Sequence, residues 1–223
     1  MIRALLLAAG CARRFGGTQK LVAPVPGRAS GGDVALVRLA TEALLASSID
    51  EVIVVVGRDA HLVRETIQGL PVRVVMNAAY ETGLSSSLRT GVEAAMPLEP
   101  HVTGLLVALA DQPITDPAIV DAVVAAFRKA SDGGRANGSI VVPRYAGVRG
   151  HPVIFGRGLV GELMAVTGDR GGREVVERDP QRVHYVDFPF EPPLDVDTEQ
   201  DLAALRGRLA RGLRDAGDRV RDA

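Results

Sequence analysis

Leu5-Leu6-Leu7-Ala8-Ala9-Gly10-Cys11-Ala12-Arg13-Arg14-Phe15-Gly16-Gly17-Thr18-Gln19-Lys20 runs from an unbroken apolar stretch straight into a loop of glycines and cations. An apolar run without polar alternation reads as a strand buried on both faces, the kind found in parallel sheets covered by helices. Glycines at its end let backbone N–H groups come close to an anion, and Arg14 and Lys20 supply positive charge against it. No Gly-Lys-Ser/Thr follows, so this is not a Walker A loop. Gly10 and Gly16 are too far apart for the GxGxxG dinucleotide fingerprint. Taken alone, the segment serves equally as a phosphate-binding loop or as a strand–turn–helix joint carrying surface arginines.

Outward from this stretch, strand-like runs alternate with helical patterns. Strands are predicted at 2–8, 51–56, 72–76, 104–109, 139–143 and 182–188. Helices are predicted at 33–47, 59–68, 85–95, 116–130 and 198–213, with Asp33, Asp59, Ser85, Asp116 and Thr198 as N-caps. The alternation implies an α/β, three-layer, Rossmann-like domain with a mostly parallel central sheet. Residues 23–32, rich in Pro and Gly, read as a loop. Residues 144–172, dense in glycine, read as a strand-and-loop excursion able to cover a cleft. Residues 1–205 form a single domain on this reading, and the arginine-rich residues 206–223 a basic C-terminal helix or tail.

The 223 residues are 47% hydrophobic and 24% charged, enough for one sizeable core. The near balance of 26 basic and 27 acidic residues argues against a nucleic-acid binder. A single cysteine, Cys11, excludes a disulfide framework and a multi-cysteine zinc site. No apolar run approaches the ~20 residues that span a bilayer. The short apolar start reads as a buried first strand rather than a secretion signal, so the expected location is the cytoplasm.

In α/β sheets, ligands bind beyond the carboxyl ends of strands. A second such end is Leu105-Leu106-Val107-Ala108-Leu109-Ala110-Asp111-Gln112-Pro113. A carboxylate directly after a buried strand is placed to hold Mg²⁺ against substrate phosphates, or simply to shape the turn before Pro113. The two ends together suit nucleoside triphosphate chemistry.

Leu7-Ala8-Ala9-Gly10, Arg14-Phe15-Gly16 and Lys20, in that spacing, resemble the signature of the MobA-like nucleotidyltransferases. Gly83-Leu84-Ser85-Ser86-Ser87-Leu88-Arg89, Ala110-Asp111-Gln112-Pro113, Arg149-Gly150-His151-Pro152-Val153, Gly168-Asp169-Arg170-Gly171-Gly172 and Leu194-Asp195-Val196-Asp197-Thr198 follow in family order. They resemble the molybdenum cofactor cytidylyltransferase branch. The resemblance implies a Mg²⁺-dependent transfer of CMP from CTP to a molybdopterin-type cofactor, with release of pyrophosphate. It implies that Ala8, Ala9, Gly10 and Gly16 shape the nucleotide loop, and that Arg14 and Lys20 bind the triphosphate. Asp111 would be a metal ligand and Asp197 a second one, unless the latter only caps the helix. Ser86 and Arg89 would contact nucleotide, and His151 would line the acceptor site. His61, His101 and His184 have no metal-like spacing. A molybdoenzyme receiving the product is the expected protein partner, with no nucleic acid and no membrane.

The chain departs from the family pattern at 21–33. That segment is longer than usual and lacks the Pro-Leu pair, close to where nucleotide and acceptor meet. Two rival readings keep the fold. One is an NAD(P)H-dependent reductase of a quinone- or dye-like substrate. The other is a non-catalytic carrier of a nucleotide-bearing cofactor.

Overall fold

Strand β1 (Ile2–Ala8) lies inside the main sheet of the computed structural model, which describes residues 1–10, 19–27, 32–113, 116–130 and 136–221. The other strands are β2 (Pro24–Pro26), β3 (Asp33–Ala35), β4 (Glu51–Val56), β5 (Arg73–Met76), β6 (Gly104–Leu109), β7 (Ile140–Tyr145), β8 (Val148–Arg149), β9 (Val153–Gly156) and β10 (Val183–Phe188). The helices are α1 (Leu36–Leu45), α2 (Ala60–Thr66), α3 (Leu84–Ala94), α4 (Pro117–Ala130), α5 (Val160–Ala165), α6 (Arg173–Arg178) and α7 (Glu199–Arg221).

The main sheet runs in the order β10-β7-β9-β6-β1-β4-β5, with β8 paired to β7. β1 pairs in parallel with β4 on one side (Leu6 opposite Val54) and β6 on the other (Leu5 opposite Val107). β9 runs antiparallel to both of its neighbours, β6 and β7. The chain moves outward from β1 through β4 and β5 and then crosses to β6 on the opposite side. The crevice at that switch, beyond the ends of β1 and β6, is where an open α/β sheet binds ligands.

The unbroken apolar strands are explained by burial on both faces. Ala4, Leu6 and Ala8 of β1 join Val52, Val54, Val56, Leu106 and Ala108 in one core, packed under α1, α4 and α7. Leu5, Leu7, Ile53, Val55, Leu105 and Val107 face the other way, against α3 and α5. These are the three layers expected from the sequence.

The strands expected at 2–8, 51–56 and 104–109 have those bounds in the structure, and the other three shift by one or two residues. Other expectations need correction. Residues 23–32 are not all loop, since Pro24–Pro26 pairs antiparallel with Asp33–Ala35. That pairing delays α1 to Leu36, so Asp33 is a strand residue rather than its cap. Asp59 precedes α2 in a left-handed conformation with no side-chain cap bond. Gly83, not Ser85, stands at the N-cap of α3. Asp116 does cap α4, accepting from the Ala118 N–H at 3.1 Å. Thr198 and Asp201 bond each other reciprocally at the start of α7. That helix continues to Arg221, beyond the expected end at 213.

Gly83 is held at φ +107, where L side chains rarely go. A Cβ there would overlap Asp169 Oδ1 and lie 2.8 Å from the Gly168 carbonyl oxygen. Gly83→Ala is therefore expected to destabilise the fold by about 2 kcal/mol or more. Urea unfolding measures this; a change below about 0.5 kcal/mol would show that the turn relaxes freely.

Candidate active site

Each of the two strand ends delivers one charged group. After β1, Ala8 and Ala9 are buried and Gly10 is exposed. Arg14 and Gly16 lie outside the described residues, as does Cys11. The chain re-enters at Gln19, whose Nε2 donates to the Arg58 carbonyl at 3.1 Å. Lys20 opens a short 3₁₀ turn, Lys20–Val22, and is 5% exposed. After β6, the Ala110 N–H donates to the Leu7 carbonyl at 3.1 Å, which ties this strand end to β1 and presents Asp111 beside it.

The third contribution comes from the far end of the chain. Val196 is fully buried, and its N–H donates to the Asp111 carbonyl at 2.9 Å. With Val196 anchored inward, its flanking carboxylates Asp195 and Asp197 are carried to the same place. Lys20 Nζ donates to Asp111 Oδ2 at 3.0 Å and to Asp197 Oδ1 at 2.9 Å. One oxygen from each of Asp111, Asp195 and Asp197 lies within 4.8 Å of the other two.

Burial alone would lower the Lys20 pKa. Asp111 and Asp197 outweigh it and hold Lys20 above its ordinary value, so it is a permanent ammonium. Burial pushes the Asp195 carboxyl up, and the charges of Asp111 and Asp197 add to the effect against the Gln112 hydrogen bond. Three carboxylates against one ammonium leave the cluster formally two charges negative. That is the charge of one divalent ion, and an all-oxygen donor set is the kind that Mg²⁺ and Mn²⁺ prefer. The residues thus fit a divalent metal. The sequence signal for Asp195 is present in its motif, but nothing local distinguishes it from Asp197.

Beside the cluster opens a cleft of about 840 Å³, a volume suited to a small molecule. Its floor is apolar, with Leu7, Leu109, Val142, Val153 and Phe155. Arg149 and Arg170 line it with positive charge, and Gln112 and Asp195 connect it to the cluster. The excursion at 144–172 supplies part of this wall, and His151 stands in it. Ser86 and Arg89 do not line it. Ser86 Oγ accepts from Asn77 Nδ2 at 2.8 Å, and Arg89 Nη1 donates to the Val166 carbonyl at 2.9 Å. Both fasten α3 to its neighbours.

Burial pushes the His151 imidazole down to about 4, with the Asp111 charge acting weakly the other way. The ring is neutral at pH 7. An unfolded chain, with its histidine near 6.5, binds a proton that the folded state refuses between those values. Stability is therefore full above about 6.5 and is lost as pH falls towards 4, by up to about 3 kcal/mol. Urea midpoints of the native chain and of His151→Asn, compared at pH 7 and pH 5, test this. The native chain should lose more on acidification than the variant, and equal losses would refute the assignment.

A family model described as the MobA-like NTP transferase domain matches residues 4–183. Nicotine blue oxidoreductase of Paenarthrobacter nicotinovorans is 32% identical over 206 residues, covering 92% of this chain and 96% of that protein. The crystal structure of Rv0371c from Mycobacterium tuberculosis H37Rv is 30% identical with a TM-score of 0.75, over 92% of this chain and 97% of that one. The same protein in complex with manganese is 30% identical with a TM-score of 0.68, over 92% of this chain and 98% of that one.

Proposed function

Since the chain belongs to the MobA-like NTP transferase family, we propose that it transfers CMP from CTP to a molybdopterin-type cofactor, with Mg²⁺ and release of pyrophosphate. The observation that carries this reading is the convergence of Asp111, Asp195 and Asp197 on Lys20, at the mouth of a cleft large enough for an acceptor. The CTP assignment leans on the Ala8-Ala9-Gly10 form of the loop. The manganese complex of Rv0371c is in keeping with a divalent metal.

Nucleotidyl transfer asks little covalent chemistry of the protein. It asks that nucleophile, α-phosphorus and leaving pyrophosphate be held in line and their charge neutralised. Asp111 and Asp197 would hold Mg²⁺, with Asp195 beside them, and the ion would neutralise triphosphate charge. Lys20 keeps a fixed positive charge at the base of the nucleotide loop, and Arg14 supplies another in that loop. The apolar floor orients a ring system with its phosphate towards the cluster. An acceptor phosphate is already anionic at neutral pH, so the attacking oxygen needs no general base. A new P–O bond forms at the α-phosphorus as the bond to the leaving pyrophosphate breaks. The reaction belongs in the cytoplasm, with a molybdoenzyme taking up the product.

Calorimetric titration with CTP, GTP, ATP and NADPH, each with and without Mg²⁺, tests the reading. Mg²⁺-dependent binding selective for CTP is expected. The 32% identity to a protein named an oxidoreductase favours one second reading, reduction of a dye-like ring by NAD(P)H in the same cleft. NADPH binding indifferent to Mg²⁺, with no binding of any triphosphate, would replace the transferase reading by that one.

A further inference from the structure

The cleft wall contains a chain of hydrogen bonds that joins three separate sequence motifs. Gln112 Nε2 donates to Asp195 Oδ2 at 3.1 Å, and Gln112 Oε1 lies 3.2 Å from His151 Nδ1. Gln112 thus turns the NH₂ side of its amide to Asp195, whose Oδ2 is the acceptor. The amide oxygen is thereby turned to His151, and an amide oxygen only accepts. The proton of the neutral imidazole must then sit on Nδ1, leaving Nε2 with a bare lone pair. Nε2 has no protein partner among the described residues, while the residue lines the cleft. The backbone beneath the ring is held as well, since the buried Tyr145 hydroxyl donates to the His151 carbonyl at 2.6 Å. Arg149, exposed on the same wall, has no side-chain partner among the described residues.

We propose that Gln112 is a positioning residue that sets the tautomer of His151, making its Nε2 a hydrogen-bond acceptor that selects a cleft occupant offering an N–H or O–H group, with an anionic substituent towards Arg149. The inference deepens the acceptor-site reading above, but its test needs no catalysis. A ring that presents only acceptors to Nε2 would leave two lone pairs facing each other in a desolvated wall, which costs binding.

Imidazole ¹⁵N NMR of the full chain is the first arm, with the His151 signals identified as those missing in His151→Asn. The native chain should show the Nδ1–H tautomer near neutral pH. Gln112→Met, of similar volume, should lose it in favour of Nε2–H while the remaining spectrum stays folded. A native Nε2–H tautomer, or a tautomer unmoved in Gln112→Met, would overturn the role of Gln112. The second arm is calorimetry with 6-hydroxy-2-naphthoate and 6-methoxy-2-naphthoate, planar anions that differ in the donor. The hydroxyl compound should bind about tenfold more tightly to the native chain, the size of one good hydrogen bond. The preference should fall below about twofold in Gln112→Met. Equal affinities in the native chain, or no binding of either, would overturn the selectivity. Neither arm depends on CTP, so loss of the transferase reading would leave both results standing.

Discussion

Asp111→Ala is expected to lower kcat/KM for nucleotidyl transfer by about 10³-fold or more, with the fold intact. The carboxylate stands at the end of β6, within reach of both the Lys20 ammonium and the Asp197 carboxylate. Removing it takes away one of two proposed metal ligands and leaves Lys20 paired to Asp197 alone. Loss of a single preorganised electrostatic group at a reacting centre commonly costs about 10²–10³-fold, and a metal ligand sits at or above the top of that range. Asp111→Asn separates charge from shape, because the amide keeps the volume and one acceptor oxygen. It should be nearly as inactive. Pyrophosphate release gives the rate, and Mn²⁺ titration gives the metal affinity, which should weaken in both variants. Activity within tenfold of the native chain in Asp111→Ala would remove Asp111 from the machinery.

Phe127→Ala is expected to cost about 3–5 kcal/mol of stability, the usual range for truncating a buried aromatic to alanine. Phe127 belongs to α4 and is fully buried. Its ring edge comes so close to β6 that a Cβ on Gly104 would lie 2.9 Å from Phe127 Cζ and 3.1 Å from the Phe155 carbonyl oxygen. The helix is thus seated on the first residue of the strand that leads to Asp111, and strand and ring leave no room for relaxation. A domain's whole stability is about 5–15 kcal/mol, so the variant should unfold at much lower urea. A loss below about 1 kcal/mol would mean that the core collapses around the missing ring. Gly104→Ala tests the same contact from the other side and should destabilise through overpacking.

The two variants mark the two kinds of information in this chain. The positions of β1, β4 and β6 are legible because each is an apolar run buried on both faces, and hydrophobic pattern is a local property. The same runs show where strands end, and so place Lys20 and Asp111 beyond carboxyl ends from local pattern alone. β9 is not legible in this way. Val153–Gly156 is four residues long, sits in a glycine-dense stretch, and runs against its neighbours, which only pairing with β6 and β7 reveals. The β2–β3 pairing escapes for the same reason: two three-residue strands hidden by Pro and Gly.

By itself, then, the sequence determined an α/β sheet sandwiched by helices, its carboxyl-end crevice, and the two charged groups that follow β1 and β6. Only the tertiary structure decided what those groups meet. Lys20 and Asp197 are bonded across nearly the whole chain because Val196 is buried against the end of β6 and carries its two flanking aspartates with it. Gln112 and His151 come together because the antiparallel pairing of β9 with β6 sets the start of β9 beside the carboxyl end of β6. Neighbours in sequence dictate period and strand ends; charge convergence depends on register and packing, which exist only once the sheet has closed.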